Sequence, residues 1–200
     1  MAQHLRPALV MIALFTLLTG LAYPLAITAV SQMVFPAAAN GSLIVKDGKV
    51  IGSTLIGQAF KTDGYFQPRP SATTAADPKD ASKTVDAPYN AASSAGSNLG
   101  PITQKLLDRI KADVDRLHAA GISGPIPVDA VTTSASGLDP HISPETALLQ
   151  VSRVAKSRGL PEDRVHALVA ANTEGRALGL LGEPRVNVLR LNLALEALKQ

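Results

Sequence analysis

ALVMIALFTLLTGLAYPLAITAV (residues 8–30) decides the architecture of this chain. From Ala8 to Phe35 no residue carries a charge. Crossing a bilayer takes roughly 20 apolar residues, so the run is long enough to span one even when tilted. Pro24 lies inside it and predicts a kink, which a membrane helix tolerates better than a soluble one. The rival reading is a cleaved signal, with Arg6 as its basic start and Ala37-Ala38-Ala39 as its cleavage site. A signal core is about 7–15 residues, which the run from Ala8 to Phe35 well exceeds, so an uncleaved anchor is expected. His4, Arg6 and the terminal amine precede the helix, and the first basic residue after it is Lys46. Positive charge stays on the cytoplasmic side. The expected organisation is a short cytoplasmic N-terminus (1–7), a transmembrane helix (8–35) and a soluble, extracytoplasmic domain (36–200). Small residues Ala13, Thr16, Gly20 and Ala22 would let a second membrane helix approach closely.

Working outward from the helix, SLIVKDGKVIGS (42–53) places two apolar runs around Asp47-Gly48, a pair suited to the positive φ angles of a type I′ turn. A β-hairpin is expected there, and GSTLIGQAF (52–60) continues its second strand and ends in a short turn or helix. Tyr65 to Pro101 shows neither helical nor strand period and reads as a long irregular excursion over the surface, a candidate contact surface. Ile102, Leu106, Ile110, Val114 and Leu117 share one face of a helix over Ile102–Ala119, with Pro101 at its first position and Gly121 ending it. PIPVDAVTTSASG (125–137) reads as a short strand running into a loop. Ser143-Pro144-Glu145 opens a second helix that runs to Arg158 and stops at Gly159. Pro161 opens a third, with Val165, Leu168 and Val169 inward. Val186–Leu198 forms a fourth, capped by Asn187, with Val188, Leu191, Leu195 and Leu198 on one face. Strands and helices that do not strictly alternate give an α+β class.

The chemistry is sparse. There is no cysteine, which removes disulfides, thiolate metal sites and a Cys nucleophile. A net charge of +3, from 19 basic and 16 acidic residues without clustering, leaves no nucleic-acid footprint. The absence of Trp and 4% aromatic content argue against a stacking platform. His141 stands beside Asp139 with no second histidine at a metal-ligand spacing, so it reads as a residue of a tight loop. Ser93, Ser94, Ser97 and Ser134 stand in no nucleophile elbow, and GSNLG (96–100) lacks the Lys-Ser/Thr of a phosphate loop. Gln150 and Arg153, three apart on the second helix, project to one side. The residues alone describe an anchored domain without a catalytic or metal constellation of its own.

Several runs resemble one family: GSTLIGQAF (52–60), YFQPRPSA (65–72), SAGSNLGP (94–101), PVDAVTTSASGLDPHISPETA (127–147), QVSRVA (150–155) and EPRVNVLRLNLAL (183–195). In that order, behind one N-terminal membrane helix, they resemble the C subunit of the bacterial Kdp high-affinity potassium-transporting ATPase along essentially the whole chain. Ala95 departs from the family's more usual glycine, so the loop there accepts a Cβ. The resemblance implies a non-catalytic accessory subunit in the cell inner membrane. Its partners would be a channel-like potassium-binding subunit, a P-type ATPase subunit and a small membrane peptide. Potassium would be the transported ion of the complex. The family is described as a catalytic chaperone that raises the ATP affinity of the ATPase subunit, and it implies Gln150, with Arg153, as nucleotide-binding residues. The competing account makes the domain a periplasmic cap or selectivity element at the potassium entrance. The charge-based orientation favours the cap, because about 30 Å of hydrocarbon would separate Gln150 from cytoplasmic ATP. ATP would then act through the ATPase subunit, and no cofactor is expected on this chain itself.

Overall fold

Residues from Gln3 to Val34 form one continuous helix, long and apolar enough to cross a membrane, with no buried residue in its apolar stretch. The structure is a computed structural model and describes residues 2–198. The helix comprises α1 (Ala2–Leu17), a π-helical turn (Leu18–Ala22) and α2 (Tyr23–Val34). The π turn answers the expected disruption at Pro24. An α-helical path would drive the proline ring into the carbonyl of Gly20. Here the Tyr23 N–H donates to the Leu18 carbonyl five residues back, which widens the turn just before the ring. Helix already covers the residues from Ala2 to Pro7; Met1 lies outside the described residues. A short helix, α3 (Pro36–Ala39), follows.

Hairpin β1 (Leu43–Lys46) and β2 (Lys49–Ser53) forms as the sequence predicts, with Asp47 at φ 51° and Gly48 at φ 74°. Its register shifts by one at Ile44/Val45, where Val45 pairs with Val50 and Ile44 with Gly52. Two compact units divide between Ser53 and Thr54, so this hairpin belongs with the N-terminal helix.

Within the second unit, the excursion from Tyr65 is not wholly irregular. It contains a hairpin of β3 (Thr74–Asp77) and β4 (Asp80–Asp86). Ala, Asp, Thr, Ser and Lys with a single valine fill these strands, and most of β4 is exposed, so no buried face imposes an apolar alternation on the sequence. Helix α4 (Gln104–Ala119) starts two residues later than expected. Thr103 closes a turn onto the Gly100 carbonyl, which leaves Pro101 outside the helix and Ile102 90% exposed. The apolar face of α4 is only half-covered, and no residue of it is fully buried. The short strand expected within PIPVDAVTTSASG (125–137) is absent. Pro125 and Pro127 have no N–H to give a ladder, and the chain forms a 3-10 turn at Val128–Ala130.

β5 (His141–Ile142) leads into α5 (Pro144–Leu148), where Ser143 Oγ accepts the Thr146 N–H at 3.0 Å, the expected cap. The predicted single helix breaks at Leu149–Gln150 and resumes as α6 (Val151–Arg158), ending at Gly159 with φ 64°. The cause is local. Gln150 Nε2 donates to the Thr146 carbonyl, the acceptor its own backbone N–H would use in an α-helix, and that N–H turns to Ala147 instead. α7 (Glu162–Ala171), β6 (Thr173–Glu174), β7 (Arg185–Asn187) and α8 (Val188–Ala197) complete the unit. Asn187 Oδ1 accepts the Arg190 N–H, the cap expected from sequence. β7 lies between β5 and β6, antiparallel to both. The core gathers Ile142, Val151, Val154, Val165, Val169, Val186, Val188, Leu191 and Leu195, with Phe66 inserted from the excursion. Each such side chain contributes about 1.5–3 kcal/mol of burial.

Gly137 carries φ 66°, and a Cβ there would lie 2.6 Å from the Ala95 carbonyl oxygen and from Thr73 Cγ2. Gly137→Ala is expected to destabilise the full-length chain by about 2–4 kcal/mol. Gly48→Ala, at φ 74° with open space around it, is expected to cost about 1 kcal/mol. Thermal melting of both variants in detergent checks the contrast.

Candidate functional site

Residues 63–67 (DGYFQ) leave a turn at Asp63–Gly64, closed by the Tyr65 N–H on the Thr62 carbonyl, and join no sheet, yet all five carbonyls and the Tyr65, Phe66 and Gln67 N–H groups are bonded. The Phe66 N–H donates to Asn192 Oδ1 at 2.9 Å, and Asn192 Nδ2 donates back to the Phe66 carbonyl at 2.9 Å. One residue on, the Gln67 N–H donates to Gln150 Oε1 at 2.7 Å, and Gln150 Nε2 returns to the Gln67 carbonyl at 3.0 Å. Two side-chain amides therefore act as the neighbouring strand would. Backbone donors at Phe66 and Gln67 require oxygen opposite them, which fixes the orientation of both amides. Asn192 is 2% and Gln150 8% exposed, so these bonds have little competition from water.

Arg153 continues the clamp. Its Nη1 donates to the Asp63 and Tyr65 carbonyls at 2.6 and 3.1 Å, and its Nη2 to Tyr65 O and Gln150 Oε1 at 3.1 and 2.7 Å. Arg158 Nε donates to the Gly64 carbonyl at 2.7 Å, and its guanidinium lies 4.5 Å from the centre of the Tyr65 ring. The Tyr65 hydroxyl bonds Glu196 at 2.7 Å. Between them, α6 and α8 seat Phe66 in the core, where it is fully buried.

The next residues, RPSA (69–72), join the second motif. Arg69 Nη1 lies 3.0 Å from Asp139 Oδ2, and its other nitrogens reach the Thr132 and Thr133 carbonyls and the Thr132 hydroxyl. Ser71 Oγ donates to the Gly137 carbonyl at 2.7 Å and accepts the Tyr89 N–H. Gly57 fits because a Cβ would come 2.8 Å from the Asp139 carbonyl oxygen. His141 sits in β5 rather than a loop; its N–H donates to Asp139 Oδ1, with Nδ1 3.4 Å from the same oxygen. Burial raises the Asp139 carboxyl, but hydrogen bonds from His141 and Arg69 outweigh it and hold it below the ordinary value. Ser94 and Ser134 bond within the 94–137 loop pair, to the Ser136 carbonyl and from the Gly137 N–H.

Gln150 and Arg153 are thus brought together, as their spacing suggests. Gln150 uses both amide protons and accepts two hydrogen bonds inside the chain, on Gln67, Thr146 and Arg153. They line an open groove of about 1170 Å³ that Arg116, Leu117, Ile122 and Lys156 also border. Burial lowers the Arg153 pKa, opposed by Asp63 and reinforced by repulsion from Arg116. The groove's lining sets Arg116, Arg153 and Lys156 against Asp63 and Glu162, an excess of one positive charge, and the two residues implied as ligands already face the protein backbone. Asn192 and Arg158 share the clamp; the first lies within the run 183–195 quoted for the resemblance, but neither was singled out from the sequence as a site residue. Among the described residues no cluster of His, Cys, Asp and Glu is arranged to hold a metal.

Two expectations follow. Gln150→Ala is expected to lower the stability of the isolated full-length chain by about 1–3 kcal/mol without any nucleotide present, because the Gln67 N–H and carbonyl lose their partners; Asn192→Ala is expected to cost more, its site being drier. Denaturant titration of both variants checks the order. Asp139, with its pKa depressed, contributes stability that is present above the unfolded value near pH ~3.9 and lost as pH falls through the folded value. The melting temperature of the native chain is therefore expected to fall more steeply on acidification below about pH 4 than that of Asp139→Asn.

Comparison with known proteins agrees with the motif resemblance. The family model described as "KdpC: K+-transporting ATPase, c chain" matches residues 5–197. A potassium-transporting ATPase KdpC subunit of Methylobacterium nodulans is 65% identical over 198 residues, covering 99% of this chain and 98% of the relative. One from Rhodopseudomonas palustris strain BisB18 is 65% identical over 199 residues, with both chains covered fully. Another, from Bradyrhizobium diazoefficiens, is 64% identical over 196 residues and 98% of each chain. Every run quoted for the resemblance lies within these matches, and the chain belongs to the KdpC family, the c chain of K+-transporting ATPases.

Proposed function

We propose that this chain is a non-catalytic accessory subunit of an ATP-driven potassium uptake pump in the bacterial inner membrane. It is anchored by the helix Gln3–Val34, with its N-terminus in the cytoplasm and residues from 36 onward outside. It docks on the channel-like potassium-binding subunit, beside the P-type ATPase subunit and the small membrane peptide, and stabilises the assembly near the potassium entrance. The observation that carries this reading is the commitment of Gln150 and Arg153 to the backbone of residues 63–67. Side chains so used are framework for a binding surface rather than ligands awaiting a nucleotide. Any influence on the ATP affinity of the ATPase subunit arises through coupled conformations of the complex.

The groove favours a second reading, direct contact with nucleotide phosphates from Arg116 and Lys156 beside Arg153. Sidedness separates the two. The chain has no cysteine, so Ala92→Cys, at an exposed position, gives a clean probe. In cells with a permeabilised outer membrane, a membrane-impermeant thiol reagent is expected to label this variant without lysis. Protection until lysis would move the domain to the cytoplasm and restore the nucleotide reading.

A further inference from the structure

Between β6 and β7 the chain makes a tight closed tip, RALGLLGE (176–183). The Ala177 N–H donates to the Leu181 carbonyl at 2.8 Å, and the Leu181 and Leu180 N–H groups return to the Ala177 carbonyl at 2.9 and 3.1 Å. The central residues Leu178 and Gly179 have φ 54° and 74°, both positive, as a type I′ turn requires. The same chain solves the same problem differently at Asp47-Gly48, with φ 51° and 74°. There the first central residue is Asp, which tolerates the left-handed region. At the tip it is leucine, whose Cβ crowds the following carbonyl oxygen in that region.

Folding does not explain this leucine. Leu178 is 91% exposed, Leu180 80% and Leu181 64%, so none of the three has its side chain in the core. A strained, fully exposed apolar residue on a pre-formed turn is a mark of a surface that is covered in use. The charges around the base are paired with one another: Arg176 with Glu183 at 2.7 Å, and Arg185 and Arg190 with Glu174 at 3.1 Å each. Among the described residues each of these three arginines faces a glutamate, which leaves an excess of one positive charge and no unpaired basic cluster to draw an anionic lipid surface, and a bilayer makes no demand for a fixed turn shape. A rigid leucine knob with a charge-paired rim is complementary to a shaped apolar pocket in a protein.

We infer that the tip Leu178–Leu181 is a docking knob that inserts into an apolar pocket on another subunit of the pump. The inference rests on the accessory-subunit reading and adds the surface and the chemistry of its partner. Burying a leucine side chain contributes about 1.5–3 kcal/mol, so removing one is expected to weaken retention in the complex about ten- to hundredfold.

Two experiments on the full complex test it. Leu178→Gly removes the side chain and relieves the positive φ. The variant chain is expected to melt at the same or a higher temperature than the native one, while its retention in the detergent-solubilised complex drops at least about tenfold. Unchanged retention would overturn the docking role. A photo-reactive amino acid at position 180, in native membranes, is expected to crosslink to a partner subunit, while the same residue at the exposed position 111 does not. Crosslinks solely to lipid, solely to a second copy of this chain, or to nothing would overturn the proposal. Mapping the crosslinked peptide separates this idea from the sidedness reading. A cytoplasmic partner segment would keep the knob and refute the external domain; an external segment keeps both.

Discussion

The soluble unit depends on one constraint: the backbone of Phe66 and Gln67 must be hydrogen-bonded although no strand lies beside it. Phe66 is needed to fill the core between α6 and α8, and a buried peptide cannot enter without partners for its N–H and carbonyl. Asn192 and Gln150 supply them in matching two-bond pairs. Other features of the site follow from that arrangement. The break between α5 and α6 arises where Gln150 takes the Thr146 carbonyl, and Arg153 and Arg158 finish the carbonyls of residues 63–65. With the start of the excursion held, RPSA lies where Arg69 and Ser71 can reach Asp139 and Gly137.

Local chemistry made much of the fold legible. Asp47-Gly48 marked its hairpin because few residue pairs accept two positive φ angles. Ser143 and Asn187 marked helix starts because a side-chain oxygen must meet an orphan N–H. The apolar positions of the last two helices found the core, since Val165, Val169, Val188, Leu191 and Leu195 are all buried. What stayed hidden has equally physical reasons. The sheet of β5, β7 and β6 has strands of two or three residues, too short to show a period. The hairpin at Thr74–Asp86 faces solvent and carries no apolar signature. The clamp joins residues 83 and 126 positions apart, and nothing local in Gln150 or Asn192 announces a distant backbone partner.

The candidate site was legible only in part. The motif resemblance singled out Gln150 and Arg153, and spacing put them side by side; neither could show that their polar atoms are engaged by the chain itself. The same motifs, RPSA, SGLDPHISP and EPRVNVL, look in sequence like separate signatures. In space the first two meet at Arg69–Asp139 and Ser71–Gly137, and the third contributes β7 and the start of α8. Within this fold they read as parts of one frame that holds the chain around Phe66 and Asp139 in shape.

Amide hydrogen exchange at Phe66 and Gln67, followed in the full-length chain, tests the clamp most directly. Exchange as slow as that of the inner residues of α6 and α8, although this segment belongs to no helix or sheet, is the result the account predicts. Exchange at the rate of an exposed loop would mean that the amides of Asn192 and Gln150 do not hold the backbone, and would leave those two side chains free for a ligand after all.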